Sequence, residues 1–128
     1  VDISLQRLKA NRANLAALGL EHQVAYLCCD LRRPALGPPA DAPPFAAAVL
    51  DPDWSPPGQP PGNWTSRLAD MTPPADELIR LGLALSPLVV IRLPRKIRID
   101  GLNATGLTCR EMNGGRRWVW LAIQEAPA

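Results

Sequence analysis

The chain is poor in the side chains that most often announce a reaction. Its 128 residues include one histidine, three cysteines, one tyrosine and one phenylalanine. His22 falls at a helix–strand junction with no serine or cysteine motif beside it, which argues against a nucleophile–histidine triad. The cysteines are the neighbours Cys28 and Cys29, and Cys109, at spacings that fit no zinc site. Adjacent cysteines rarely pair with each other and the count is odd, so we expect buried thiols in a reducing, cytoplasmic setting and no disulfide framework or metal centre. No apolar run is long enough to cross a bilayer, and none has the pattern of a signal peptide. Without secretion, Asn63-Trp64-Thr65 and Asn103-Ala104-Thr105 are chance matches to the glycosylation pattern. The formal charge of +2 is too small to identify a nucleic-acid partner by itself.

What is present is an ordinary apolar content of 47% and an unusual amount of proline. This length and composition predict one domain over residues 1–128, large enough to bury a core. Ten of the fifteen prolines lie between Pro34 and Pro61. They define two irregular loops, Arg33–Pro44 and Ser55–Gly62, around a predicted strand from Phe45 to Leu50. Upstream, Val1-Asp2-Ile3-Ser4 reads as a strand end. Ser4 caps a helix from Leu5 to about Leu18, Gly19 is its left-handed stop, and a strand runs from His22 to Cys29. Downstream, Thr72-Pro73-Pro74 starts a helix reaching Ser86. A near-continuous apolar strand follows from Leu88 to Leu93, as in a sheet covered on both faces. Strands over Leu107–Met112 and Trp118–Ile123 then flank the hairpin turn Asn113-Gly114-Gly115. This order predicts an α/β fold with a mostly parallel sheet and an antiparallel C-terminal hairpin.

The most telling segment is Asp51-Pro52-Asp53-Trp54, directly after the apolar run that ends at Leu50. In open α/β sheets, ligands bind beyond the carboxyl ends of the strands. A carboxylate and a turn carbonyl there can accept from an amine, the proline stiffens the turn, and the indole offers a flat apolar face. The competing reading is a plain strand-to-turn junction with a half-buried tryptophan. Trp118 and Trp120, alternating with Val119 and Leu121, read as packing rather than ligand stacking. The short basic clusters Arg32-Arg33, Arg95-Lys96-Arg98 and Arg116-Arg117 read as a solvated surface or, alternatively, a basic rim for RNA.

Taken in order, Val1-Asp2-Ile3-Ser4, Arg7-Leu8, Asn14-Leu15-Ala16, Gly19-Leu20, Val24, Asp30-Leu31 and Asp51-Pro52-Asp53-Trp54 resemble the class I S-adenosylmethionine-dependent methyltransferases, entered at the end of their second strand. Within that superfamily, Trp54-Ser55-Pro56-Pro57-Gly58 and Leu93-Pro94-Arg95 are most similar to the RNA cap guanine-N2 methyltransferases, the trimethylguanosine synthase group. The resemblance implies an incomplete Rossmann-like sheet and S-adenosylmethionine as cofactor. It implies that Asp2 accepts from the ribose hydroxyls, and that Asp30 accepts from the adenine amine with Leu31 beside the ring. Asp51 and the carbonyl of Pro52 would orient a target amine, Trp54 would stack on the base, and Arg95 would contact phosphate. Methyl transfer to an amine is an in-line displacement in which positioning carries most of the catalysis.

Two departures limit the assignment. Asp53 stands where the subfamily usually has a second proline, so the substrate stays open among a charged 7-methylguanine, other RNA bases and a protein amine. The glycine-rich loop that follows the first strand in the superfamily is absent, so we expect the C-terminal part of a longer domain that binds cofactor poorly by itself. A missing N-terminal segment or a homodimer would cover the sheet edge left open. The rival expectation is a non-catalytic module of the same fold that binds RNA or a protein partner through Trp54, the proline-rich loops and the arginines. A nucleotide-binding α/β protein of other chemistry has no phosphate loop here to support it.

Overall fold

Ser4 ends an extended segment with φ −95° and ψ 106°, and its hydroxyl accepts from the Arg7 amide, so the first helix begins at the expected residue. The computed structural model describes residues 1–33, 45–60, 62–97 and 106–126. It divides into two units, Val1–Gly37 and Pro38–Ala128, and each is described by itself.

In the first unit, helix α1 spans Leu5–Ala17. It stops where Gly19 takes φ +70°, a conformation only glycine adopts freely, and the Gly19 and Leu20 amides close back on Ala16 and Leu15. Only Leu8 is buried on this helix, so the apolar stripe read over Leu5, Leu8, Arg12, Leu15 and Ala16 is mostly exposed. The strand expected over residues 22–29 does not form. Glu21–Gln23 is a 3-10 turn, and a single parallel bridge joins Asp2 to Cys28 through the Asp2 amide to Leu27 (3.2 Å) and the Cys29 amide to Asp2 (3.1 Å). Val24 and Leu27 are each 41% exposed, because a strand needs a neighbour to pair with and a face to bury, and this run has one bridge and neither.

The second unit holds a four-stranded mixed sheet. Its strands are β1 (Ala48–Leu50), β2 (Val89–Pro94), β3 (Leu107–Gly114) and β4 (Trp118–Glu125), in the order β1-β2-β4-β3. Helix α2, Ala75–Leu85, connects β1 to its parallel neighbour β2. The other two pairings are antiparallel, so the sheet is mixed where a mostly parallel one was expected. The last strand lies inside the sheet, between β2 and β3, and its partner in the terminal hairpin becomes the edge.

The core lies on one face of this sheet. Val89, Ile91 and Leu93 of β2 alternate inward with Val119, Leu121 and Ile123 of β4, and Ala75, Leu78, Ile79 and Gly82 are the buried residues of α2. Each fully buried branched side chain contributes about 1.5–3 kcal/mol relative to exposure. Ser86 ends α2: its amide donates to the Gly82 carbonyl, and its one hydroxyl proton lies between the carbonyls of Gly82 at 3.0 Å and Leu88 at 2.8 Å. The opposite face carries Val49, Val90, Arg92, Trp120 and Arg110. The near-continuous apolar run in β2 therefore does not mean equal cover on both sides, since Val49 is 68% exposed. Among the described residues no helix is long and apolar enough to cross a membrane. The proline-rich segment 34–44, Pro61, Arg98 and Asn103-Ala104-Thr105 lie outside the described residues.

Candidate acceptor site at the end of β1

The tetrad leaves the carboxyl end of β1 as expected, and its turn is held from both sides. Asp53 pairs with Thr72 through two backbone hydrogen bonds of 3.0 Å. The Asp53 carboxylate accepts from the Ser55 amide at 2.9 Å, and the Thr72 hydroxyl donates to the Ser55 carbonyl at 3.3 Å. These bonds close an Asx turn directly after Pro52. Pro52 is buried beneath it.

Trp54 is 9% exposed. Its indole N–H donates to the Arg92 carbonyl of β2 at 3.0 Å, and the Trp64 ring meets it edge-on, with centroids 4.9 Å apart and planes at 87°. The Trp54 carbonyl accepts from the Thr65 amide at 2.9 Å, and Lys96 donates to the carbonyl of Trp64. The tryptophan is thus fixed in place by backbone and by a second indole.

Asp51 meets a partner from the neighbouring strand. Both its oxygens accept from Arg92, Nε at 2.9 Å and Nη2 at 2.7 Å, a parallel fork of the kind that favours arginine over lysine. The same guanidinium carbon lies 5.3 Å from the centroid of Trp54 and 5.8 Å from that of Trp120, within cation–π range of both. Trp120 is there because β4 pairs with β2 in a register that sets it directly opposite Arg92. Neither Arg92 nor Trp120 stands out in the sequence as part of a site. Alternation within the apolar run was the available signal, since it turns Arg92 away from Ile91 and Leu93.

Arg95 has a local role. Its Nε donates to the Gly115 carbonyl at 2.9 Å and its Nη2 to Glu111 at 2.8 Å, which fastens the end of β2 to the hairpin.

In the first unit, Asp2 accepts from the Ser4 amide at 2.7 Å and lies 3.9 Å from Arg7, as a residue shaping the start of a helix does. It also borders an open cleft of about 400 Å³ lined by Leu8, Asn11, Asn14 and Tyr26. Asp30 is hooked by Arg32: Oδ1 accepts from the Arg32 amide and Nε at 3.0 Å each, and Oδ2 from Nη2 at 2.7 Å. The side-chain and backbone hydrogen bonds from Arg32 lower the Asp30 pKa to about 2. Leu31 follows, half-buried, in a turn closed by the Arg33 amide on the Asp30 carbonyl.

No protein-family model matches the chain, and no curated protein matches its sequence.

Proposed function

We propose that this chain is the C-terminal part of a Rossmann-like, S-adenosylmethionine-dependent methyltransferase domain that acts on the exocyclic amine of a purine in RNA. The observation that carries the reading is the placement of Asp51 and Trp54. They leave the carboxyl end of the first strand of a parallel β1–α2–β2 crossover, where α/β sheets bind ligands, and an antiparallel terminal hairpin completes the sheet. On this reading Asp51 and the Pro52 carbonyl hold the acceptor amine in line. Trp54 stacks on its ring, a contact worth roughly 1–3 kcal/mol per base. Asp2, Asp30 and Leu31 hold the cofactor, which when bound supplies a methyl group on a sulfonium. A side-chain base is dispensable if solvent takes the proton after transfer. A second copy of the chain would cover the edge strand β1, and the protein acts in the cytoplasm.

A second reading, a non-catalytic module that binds RNA or a protein, is favoured by one specific feature. Asp51, Asp30 and Arg95 each spend both ends of their charged groups on partners within the chain. Calorimetric titration with S-adenosylmethionine and with its demethylated product separates the two. Micromolar binding that is lost in Asp2→Ala supports the enzyme. Absence of heat and of any shift in melting temperature favours the module.

A further inference from the structure

Arg92 occupies the place that the proposed acceptor would need. Its guanidinium is planar and cationic, presents two parallel N–H donors to Asp51, and lies against two indoles. We propose that the Arg92 side chain is an internal ligand: it fills a slot for a flat ring with a guanidine-like edge, and an incoming ring must displace it to reach Asp51. This inference rests on reading Asp51 and Trp54 as the acceptor site.

Three observations carry it. First, the walls of the slot do not depend on the plug. Trp54 is held by the backbone carbonyl of residue 92, by Trp64 and by Thr65, and Trp120 is held by the β2–β4 ladder. Removing the guanidinium leaves those contacts intact. Second, the plug is free to leave. The Arg92 side chain is 39% exposed and that of Asp51 47%, so the arginine swings into water by rotamer change without opening the core. Exposed ion pairs of this kind hold only weakly. Third, the donor pattern matches. A ring carrying an amine beside a ring N–H offers a carboxylate the same two parallel donors as an arginine fork. Its flat face replaces the guanidinium against the indoles. Occupancy by Arg92 also keeps the Asp51 carboxylate paired while no acceptor is present.

The test uses 2-aminobenzimidazolium, a flat bicyclic cation with a guanidine edge, titrated calorimetrically into the whole chain and into Arg92→Met, which keeps the aliphatic stem. The expected result is about two- to sixfold tighter binding to Arg92→Met, with the gain abolished by adding Asp51→Asn. Arg92→Lys keeps charge and stem but lacks the fork, and should fall between the two; it carries the test if the methionine variant fails to fold by circular dichroism. In the unaltered chain, the Arg92 Nε–H resonance should shift and exchange faster as the probe saturates. Equal, Asp51-dependent affinity in all three proteins would overturn the plug and leave the acceptor site standing. Binding that ignores Asp51 in every background would overturn both.

Discussion

Helix α2 lies so close to the sheet at Gly82 that a Cβ there would come within 2.7 Å of Val89 Cγ2, 3.4 Å of Leu50 Cδ1 and 3.5 Å of the Ala48 Cβ. Gly82 therefore sets the height of the helix over β1 and β2, the two strands that position Asp51 and Arg92. Alanine at this position has two opposed effects. It favours the helix by about 1 kcal/mol over glycine. It also drives a methyl into Val89, which is wholly buried and has nowhere to retreat, and overpacking of this kind costs about 1–3 kcal/mol. The net expectation for Gly82→Ala is a loss of about 1 kcal/mol. The sign reverses once Val89 is cut back. In a Val89→Ala background the new methyl enters vacated space, so it keeps the helix gain of about 1 kcal/mol and adds about 0.8 kcal/mol for one buried carbon. The coupling between the two sites should thus be about 2–3 kcal/mol, at the upper end of what contacting residues show. Urea denaturation of the four proteins, with a common m-value, measures it. Gly82→Ala stabilising the unaltered chain, or costing the same in both backgrounds, would refute the packing argument.

Three further outcomes are expected. Trp54→Phe keeps most of the buried ring but leaves the Arg92 carbonyl without its donor, so denaturation should show a loss of about 1–3 kcal/mol; Trp54→Ala removes the ring altogether and should cost about 3–5 kcal/mol, which makes the phenylalanine the cleaner probe of ligand stacking. Asp51→Asn breaks a pair that is largely exposed on both sides, so stability should change by less than about 1 kcal/mol, and a larger loss would mark Asp51 as a framework residue. Asp30 should titrate near 2 by carbon NMR and return toward its ordinary value of 3.8 in Arg32→Met. Because its folded pKa is depressed, the contribution to stability is present above the unfolded value and is lost as pH falls through about 2; a midpoint near 3.8 in the unaltered chain would contradict the hydrogen-bond geometry.

Elements whose sequence encodes both a period and a stop were legible. The helix from Ala75 has inward apolar residues at helical spacing and ends at Ser86, and the hairpin strands appear within two residues of their expected limits. Asn113 and Gly114 prove to be paired within β3, with the turn displaced to Gly115–Arg117, because a register shift between Glu111 and Asn113 carries pairing past the expected turn. Where the residues encode only apolarity, the reading overreached. Phe45, Ala46 and Ala47 stay outside β1, since the parallel partner begins at Val89 opposite Ala48, and Phe45 is 59% exposed. Residues 22–29 failed as a strand for the same reason: β structure is a property of a pair, and pairing is not written in either member alone. The tetrad could be placed because a strand end followed by Asp-Pro is local information. Arg92 and Trp120 could not, since they meet only through the register of β2 with β4.

That distinction also separates the three carboxylates assigned by resemblance. Asp2 and Asp30 bond to neighbours two residues away in the chain, Ser4 and Arg32, contacts available to any turn that brings the backbone round. Asp51 pairs with a residue 41 positions later, and the pair exists only because β1 and β2 lie parallel with Leu50 beside Ile91. A local hook can be explained by the economy of a turn. A fork assembled by the sheet, with one indole from the following turn and another from the adjacent strand, requires β1, β2, β4 and that turn to be in place. The side-chain entropy lost in holding an exposed arginine there is of the same order as what an exposed ion pair returns. The ion pair by itself therefore adds little to folding stability, and the acceptor site proposed above would use all four of its members.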